Sequence, residues 1–318
     1  MTRFLLPLCL LVSLFHTTRA QDTAQVRPFV SETTFLLAKV RPQQIQPPDA
    51  EKLLGAAPPA AQAVVGELTK KCNDFLGQLR TCSDGQPIYA AAEIPSSKDH
   101  RPFYLFRRKT SEQNAQVVQT ILEKQLKMEL RLHQNYLVAV SRGESIPTSL
   151  VERDLEAAFQ ATADYPAQLI VTPPSHVWRT LSELSPELPS FLGGGPSRVL
   201  TDGVQWASLG FDSQNVRLSV VIQAQSEAAA RDFAVYLPKL LRAILKAAAP
   251  TRSTFPDQVA RALIGSLKPH VEGSQVKILV DGFGEMKSGL GAFAALSQVL
   301  EEKVQQIVNN DRKFLNDH

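Results

Sequence analysis

Cysteine is nearly absent from this sequence, three residues in 318, and one of them, Cys9, falls in an N-terminal apolar run. The fold therefore does not rest on a disulfide framework. Charge of one sign is missing too, with 34 Lys and Arg against 31 Asp and Glu, so nothing points to nucleic acid as a partner. Beyond the N-terminus no stretch approaches the roughly 18 consecutive apolar residues of a membrane helix. Beyond His16, the histidines His100, His133, His176, His270 and His318 are scattered, with no H-E-x-x-H and no pair at i, i+4. A zinc hydrolase is poorly supported on that ground. No G-x-S-x-G occurs either, which removes the strand-to-helix serine elbow of many hydrolases.

Two glycine-rich stretches lack what a phosphate site requires. Gly193-Gly194-Gly195-Pro196 has neither the Lys nor the Ser/Thr of a P-loop and reads as a flexible loop ahead of a strand. Asp281-Gly282-Phe283-Gly284 follows a strand and precedes a helix, but Lys287 stands where a dinucleotide fingerprint needs its third glycine. It reads as a tight turn. No catalytic residue, cofactor or metal ligand is assigned from the sequence.

What is present begins at the N-terminus. Arg3, an apolar run of 12 residues from Phe4 to Phe15, and Thr18-Arg19-Ala20 form a secretory signal peptide with a cut after Ala20. The run is too short to cross about 30 Å of hydrocarbon, which makes an uncleaved anchor the minor alternative. Cleavage leaves 298 residues and removes two arginines, so the formal charge falls from +3 to +1. The expected product is exported, periplasmic or secreted, and without stable membrane insertion. Its two remaining cysteines, Cys72 and Cys82, are close in sequence, and in an exported protein such a pair is expected to form a disulfide. The alternative is a redox or metal pair, but the spacing is neither C-x-x-C nor a zinc knuckle.

The strongest patterning lies between Asp202 and Lys246. Val216, Leu218, Val220 and Ile222 alternate with Asn215, Arg217, Ser219 and Gln223, interrupted only by Val221, the period of a strand with one buried face. Gly203 to Gly210 is the other arm of the hairpin, and Asp212 to Asn215 turn it. Then Phe233, Tyr236, Leu237, Leu240, Leu241, Ile244 and Leu245 form one helical stripe, with Ser226 as N-cap and Pro238 inside. Burying seven such side chains at roughly 1.5 to 3 kcal/mol each outweighs about 3 kcal/mol for the proline, so one kinked helix is expected.

A fainter copy lies about a hundred residues upstream. Both halves read strand, helix, two strands, helix, two strands, helix. In the first half the strands are Thr33 to Val40, Ile88 to Ile94, Phe103 to Arg107, and a hairpin turned at Gln134-Asn135, with a helix from Thr148 to Ala161. In the second, Leu169 to Val171 is followed by a helix over Ser175 to Leu184, the central stretch, a hairpin of Leu267 to Val271 and Gln275 to Val280, and a terminal helix. The expected fold is α+β: two similar β-α-β-β-α-β(β)-α halves of split β-α-β, ferredoxin-like form, their antiparallel sheets covered by helices on one face. The boundaries are residues 1–20 for the signal peptide, 21–164 for the first repeat and 165–318 for the second.

Two surfaces are candidates for binding. His176 and Trp178 open a helix after a strand and two prolines, where they would line a cleft or simply pack the helix start. Arg101, Arg107, Arg108 and Lys109 lie beside Phe103, Tyr104 and Phe106, a combination suited to an anionic polymer or head group, or to a solvated rim above core aromatics. The signal peptide, SETTFLLAKV, LPSFLGGGPSRVLTDGVQWASLGF and SEAAARDFAVYL together resemble the uncharacterised exported proteins of planctomycete bacteria over most of the mature chain. The resemblance implies export and carries no activity or site residues. A non-enzymatic binding or envelope-associated protein is expected, with a cell-envelope polymer or another exported protein as partner and the groove between the halves as its surface. The alternative is an extracellular or periplasmic hydrolase, which requires His176 to meet a carboxylate and a serine.

Overall fold

The structure, a computed structural model, describes residues 23–46, 70, 73–74, 76–93, 103–107, 128–141, 143, 146, 155–188, 193–215, 217–248 and 267–280. Ten strands form one sheet: β1 (Thr34–Val40), β2 (Ile88–Glu93), β3 (Phe103–Arg107), β4 (Met128–His133), β5 (Tyr136–Ser141), β6 (Ala167–Val171), β7 (Trp206–Asp212), β8 (Arg217–Gln223), β9 (His270–Glu272) and β10 (Gln275–Val280). Every neighbouring pair is antiparallel. The order across the sheet is β4-β5-β3-β2-β1-β6-β7-β8-β10-β9.

Outward from the central β1·β6 pair, the chain follows the same path on both sides. One side runs β1-β2-β3-β5-β4 and the other β6-β7-β8-β10-β9. Strands β8 and β9 are each antiparallel to β10, which lies between them, so they run parallel to one another. With the helix joining them they make a split β-α-β unit. Strands β3 and β4 stand in the same relation to β5. The split does not extend to the start of either half: β1 and β2 are direct neighbours, as are β6 and β7. The ferredoxin-like order expected for each half is thus replaced by a longer antiparallel run, and the halves are one sheet.

Helices cover both faces of this sheet, not one. They are α1 (Leu155–Ala161), α2 (Ser175–Leu184), α3 (Arg198–Thr201) and α4 (Glu227–Ala248), with a further helical stretch over 76–83 and an N-terminal one ending in the 3-10 turn Arg27–Phe29. On the first face, Val26, Phe29, Val30 and the α1 residues Leu155, Ala158 and Phe159 pack over Leu37, Tyr89, Leu105, Val138, Ile170 and Val221. On the opposite face α2, α3 and α4 pack over Ile222, Val276, Ile278 and Val280, and residues 76–83 bring Leu79 and Cys82 to Ile88 and Phe106. Val221, the interruption in the alternation of β8, is buried against the first face while Ile222 serves the second. Strand β8 carries buried side chains on both faces and accordingly runs apolar from Val220 to Ile222.

Local chemistry agrees with the sequence around β7 and β8. The Asp212 carboxylate accepts the Gln214 backbone N–H at 3.0 Å and the Asn215 side-chain amide at 2.6 Å, closing the turn. Ser226 Oγ accepts the Ala229 N–H at 3.1 Å, the expected N-cap. Helix α4 continues through Pro238 for 22 residues. Phe233, Tyr236 and Leu237 are its buried stripe, while Leu240 is only half-buried, a turn further towards the rim. The last hairpin turns at Gly273-Ser274 as expected, but β9 starts at His270 and not at Leu267.

Candidate functional site

The residues singled out from the sequence are not gathered together. His176 is exposed on the first turn of α2, and among the described residues its imidazole has neither a hydrogen bond nor an ion pair. Trp178 turns inward, donating its indole N–H to the Val204 carbonyl at 2.9 Å and packing on the second-face core. Their placing is that of a helix start docked on its neighbours, and among the described residues no serine or carboxylate is bonded to His176.

Arg107 ends β3 and is exposed, with Nη1 3.3 Å from the Gln86 side-chain oxygen that accepts from it. On the face that Arg107 shares, Tyr136 and Phe103 are buried, while Phe106 is buried on the other. Tyr136, opposite Arg107 in the β3·β5 register, has its phenol pushed up by burial and drawn back by the Arg107 charge. Arg101 and Arg108 lie outside the described residues. The strand end is a charged rim standing on a packed aromatic base.

The glycine loop is held, not flexible. Gly193, Gly194 and Gly195 have φ of 92°, 66° and 88°, the left-handed region that favours glycine. Tyr236 donates its hydroxyl to the Gly194 carbonyl at 2.9 Å, and a Cβ on Gly193 would stand 3.1 Å from that hydroxyl oxygen. The loop is therefore packed against α4. It also precedes the short helix α3 and not a strand.

A buried polar row, which the sequence reading missed, crosses the centre of the first face. Lys39 on β1 is 1% exposed and lies between Tyr89 of β2 and Gln168 of β6 in the strand registers. The Gln168 amide donates to the Phe159 carbonyl and to Thr162 Oγ1, both at 3.0 Å. Thr162 Oγ1 in turn lies 2.6 Å from Ser208 Oγ, and Tyr89 donates to Gln25 at 3.2 Å. Among the described residues the Gln168 side-chain carbonyl finds no donor, leaving one unmatched acceptor in the row. Slipping β1 by one residue would turn Lys39 to the other face, so this row specifies the register at which the halves join. The only trace of it in the sequence is Lys39 itself, placed two residues beyond Leu37 and so on the same face of the strand.

The expected Cys72–Cys82 disulfide is not seen at Cys82, which is a free, buried thiol; Cys72 lies outside the described residues. Burial pushes the Cys82 thiol up, away from the reactive thiolate. Helix 76–83, which carries it, is held instead by Arg80, whose guanidinium donates to the Pro42 and Ile45 carbonyls at 3.0 and 2.6 Å. Among the described residues no helix is long and apolar enough to cross a membrane, and no cluster of His, Cys, Asp and Glu has the form of a metal site. Comparison of the chain with protein-family models, curated proteins and solved structures finds no match.

Proposed function

We propose that the chain is an exported, non-catalytic protein built from two diverged copies of one α+β unit, and that it binds an anionic polymer of the cell envelope. The common strand path on the two sides of β1·β6 supports the duplication. Export rests on the signal peptide and on the resemblance to exported planctomycete proteins. The burial of Val26, Phe29 and Val30, a few residues past the expected cut, supports a mature chain that starts close to Gln21. A cut much further on would remove part of the core. When the full-length gene is expressed in a secreting host, intact mass is expected to report a chain beginning at Gln21; a chain retaining Arg3 would count against export.

The observation that carries the binding role is the exposed Arg107 on its aromatic base. On the first face no groove separates the halves, because β1 and β6 are hydrogen-bonded neighbours and α1 packs over the same core. Strand ends and loops remain, and a cation above a packed base loses little entropy on meeting an anionic chain. The mature protein is expected to sediment with purified envelope material at low salt and to be released by high salt. Arg107→Glu should lower the retained fraction several-fold. Equal retention of that variant at low salt would remove the rim as the binding surface.

A further inference from the structure

We infer that two copies of the chain pair edge to edge through β4, antiparallel and centred on Leu130. Among the described residues the two edges of the sheet are β4 and β9, and they are not alike. Strand β9 has three residues, and Glu272 at its end is ion-paired with Lys277; an edge so short and charged is a poor template for a neighbour. Strand β4 has six residues, no proline, and an unbroken register against β5. Leu132 on it remains 55% exposed.

The order Met128-Glu129-Leu130-Arg131-Leu132 is apolar, acid, apolar, base, apolar. It is self-complementary when reversed. Antiparallel pairing about Leu130 sets Glu129 opposite the partner's Arg131, and Leu132 opposite the partner's Met128, each twice by symmetry. Opposite residues share a face, so the charges meet on one side and the apolar side chains on the other. Centring the pair on Glu129 or on Arg131 would instead set like charges against each other. Charge thus selects one register. Met128 already belongs to the buried layer with Cys82, Ile88 and Phe106, so covering Leu132 extends that layer across the junction. Glu129 and Arg131 lie 3.0 Å apart on the strand, and two copies would bring four alternating charges together.

Sedimentation velocity on the mature chain tests this. The wild type is expected at twice the monomer mass at micromolar concentration. Arg131→Glu and Glu129→Arg each replace two attractive cross-pairs with two repulsive ones and should weaken self-association by about tenfold or more. Mixing the two variants restores every opposite pairing, and a heterodimer should form although neither variant dimerises alone. The mixture separates lost pairing from lost folding, since two misfolded chains would not rescue each other. A monomeric wild type overturns the proposal, and so does a dimer that Arg131→Glu leaves intact or a mixture that stays monomeric.

Discussion

In Leu37→Asp, tryptophan emission at 25 °C is expected at the position of the urea-unfolded chain, although both tryptophans, Trp178 and Trp206, belong to the other half of the sheet. Leu37 is 0% exposed in β1, the strand that joins the halves. It opposes Ile170 across the junction and shares a buried core with Trp206. The substitution forfeits about 1.5 to 3 kcal/mol of leucine burial. It also leaves a carboxyl group with no place built to receive it, which adds several kcal/mol more. Together these remove about 5 kcal/mol or more, against roughly 5 to 15 kcal/mol for a whole domain. Because the core is continuous across β1·β6, the loss is shared. Independent halves would give native emission from both indoles in the variant, and that result would show that the sheet does not act as one cooperative body. The same single body should give the wild type one unfolding transition by far-UV circular dichroism and by tryptophan emission.

Gly210→Ala is expected to cost about 3 kcal/mol in urea unfolding, the upper part of the range for overpacking. Glycine inside a strand is ordinarily a weakness. Here a Cβ at Gly210 would stand 2.5 Å from Cγ and Cδ2 of Tyr165 and 2.9 Å from Cβ of Thr162. Those atoms are near the backbone, so the ring cannot clear the methyl group by a small rotation. Thr162 is also tied to Ser208 and Gln168, and moving it strains the polar row beside Lys39. Tyr165→Ala removes the ring, so the double variant should lose less than the sum of the two single losses, by at least about 1 kcal/mol of coupling. Additive losses would mean that the close approach of Tyr165 to β7 is not what excludes a side chain.

The second half of the chain was the more legible. Its strand alternation, the Asp212 turn, the Ser226 cap and the stripe of α4 are all local, with each signal inside a window of a dozen residues. The first half hid two elements. Residues 23–29 look like a polar leader, yet Val26, Phe29 and Val30 fall at i, i+3 and i+4 and are buried. Three apolar residues are too few to announce a helix. Residues 76–83 form a helix that Leu76 and Leu79, two apolar residues beside the cysteine pair, are too few to announce. Leu240 sat in the apolar stripe by period but is half-buried, since a period reports direction on the helix and not how far the sheet extends beneath it.

For the candidate surfaces the outcome was uneven. Arg107 is exposed beside the buried Tyr136, the other basic residues of that cluster lie outside the described residues, and Trp178 packs on the second-face core. The Lys39 row was out of reach because its members come from β1, β2, β6, β7 and the end of α1, separated by up to about 170 residues of chain.

Among the described residues, the chain's own sequence determined most strand positions and the turn and cap chemistry of β7, β8 and α4. Each follows from interactions between residues close in sequence. Tertiary structure alone decided that the halves share one sheet, that helices lie on both its faces, that the last two strands of each half exchange places in the sheet, and that Gln168 sits beside Lys39. The reason is physical: an apolar strand is compatible with many neighbours and either face. Only the simultaneous burial of the inner strands, with their backbone bonds paired, selects one order and one register.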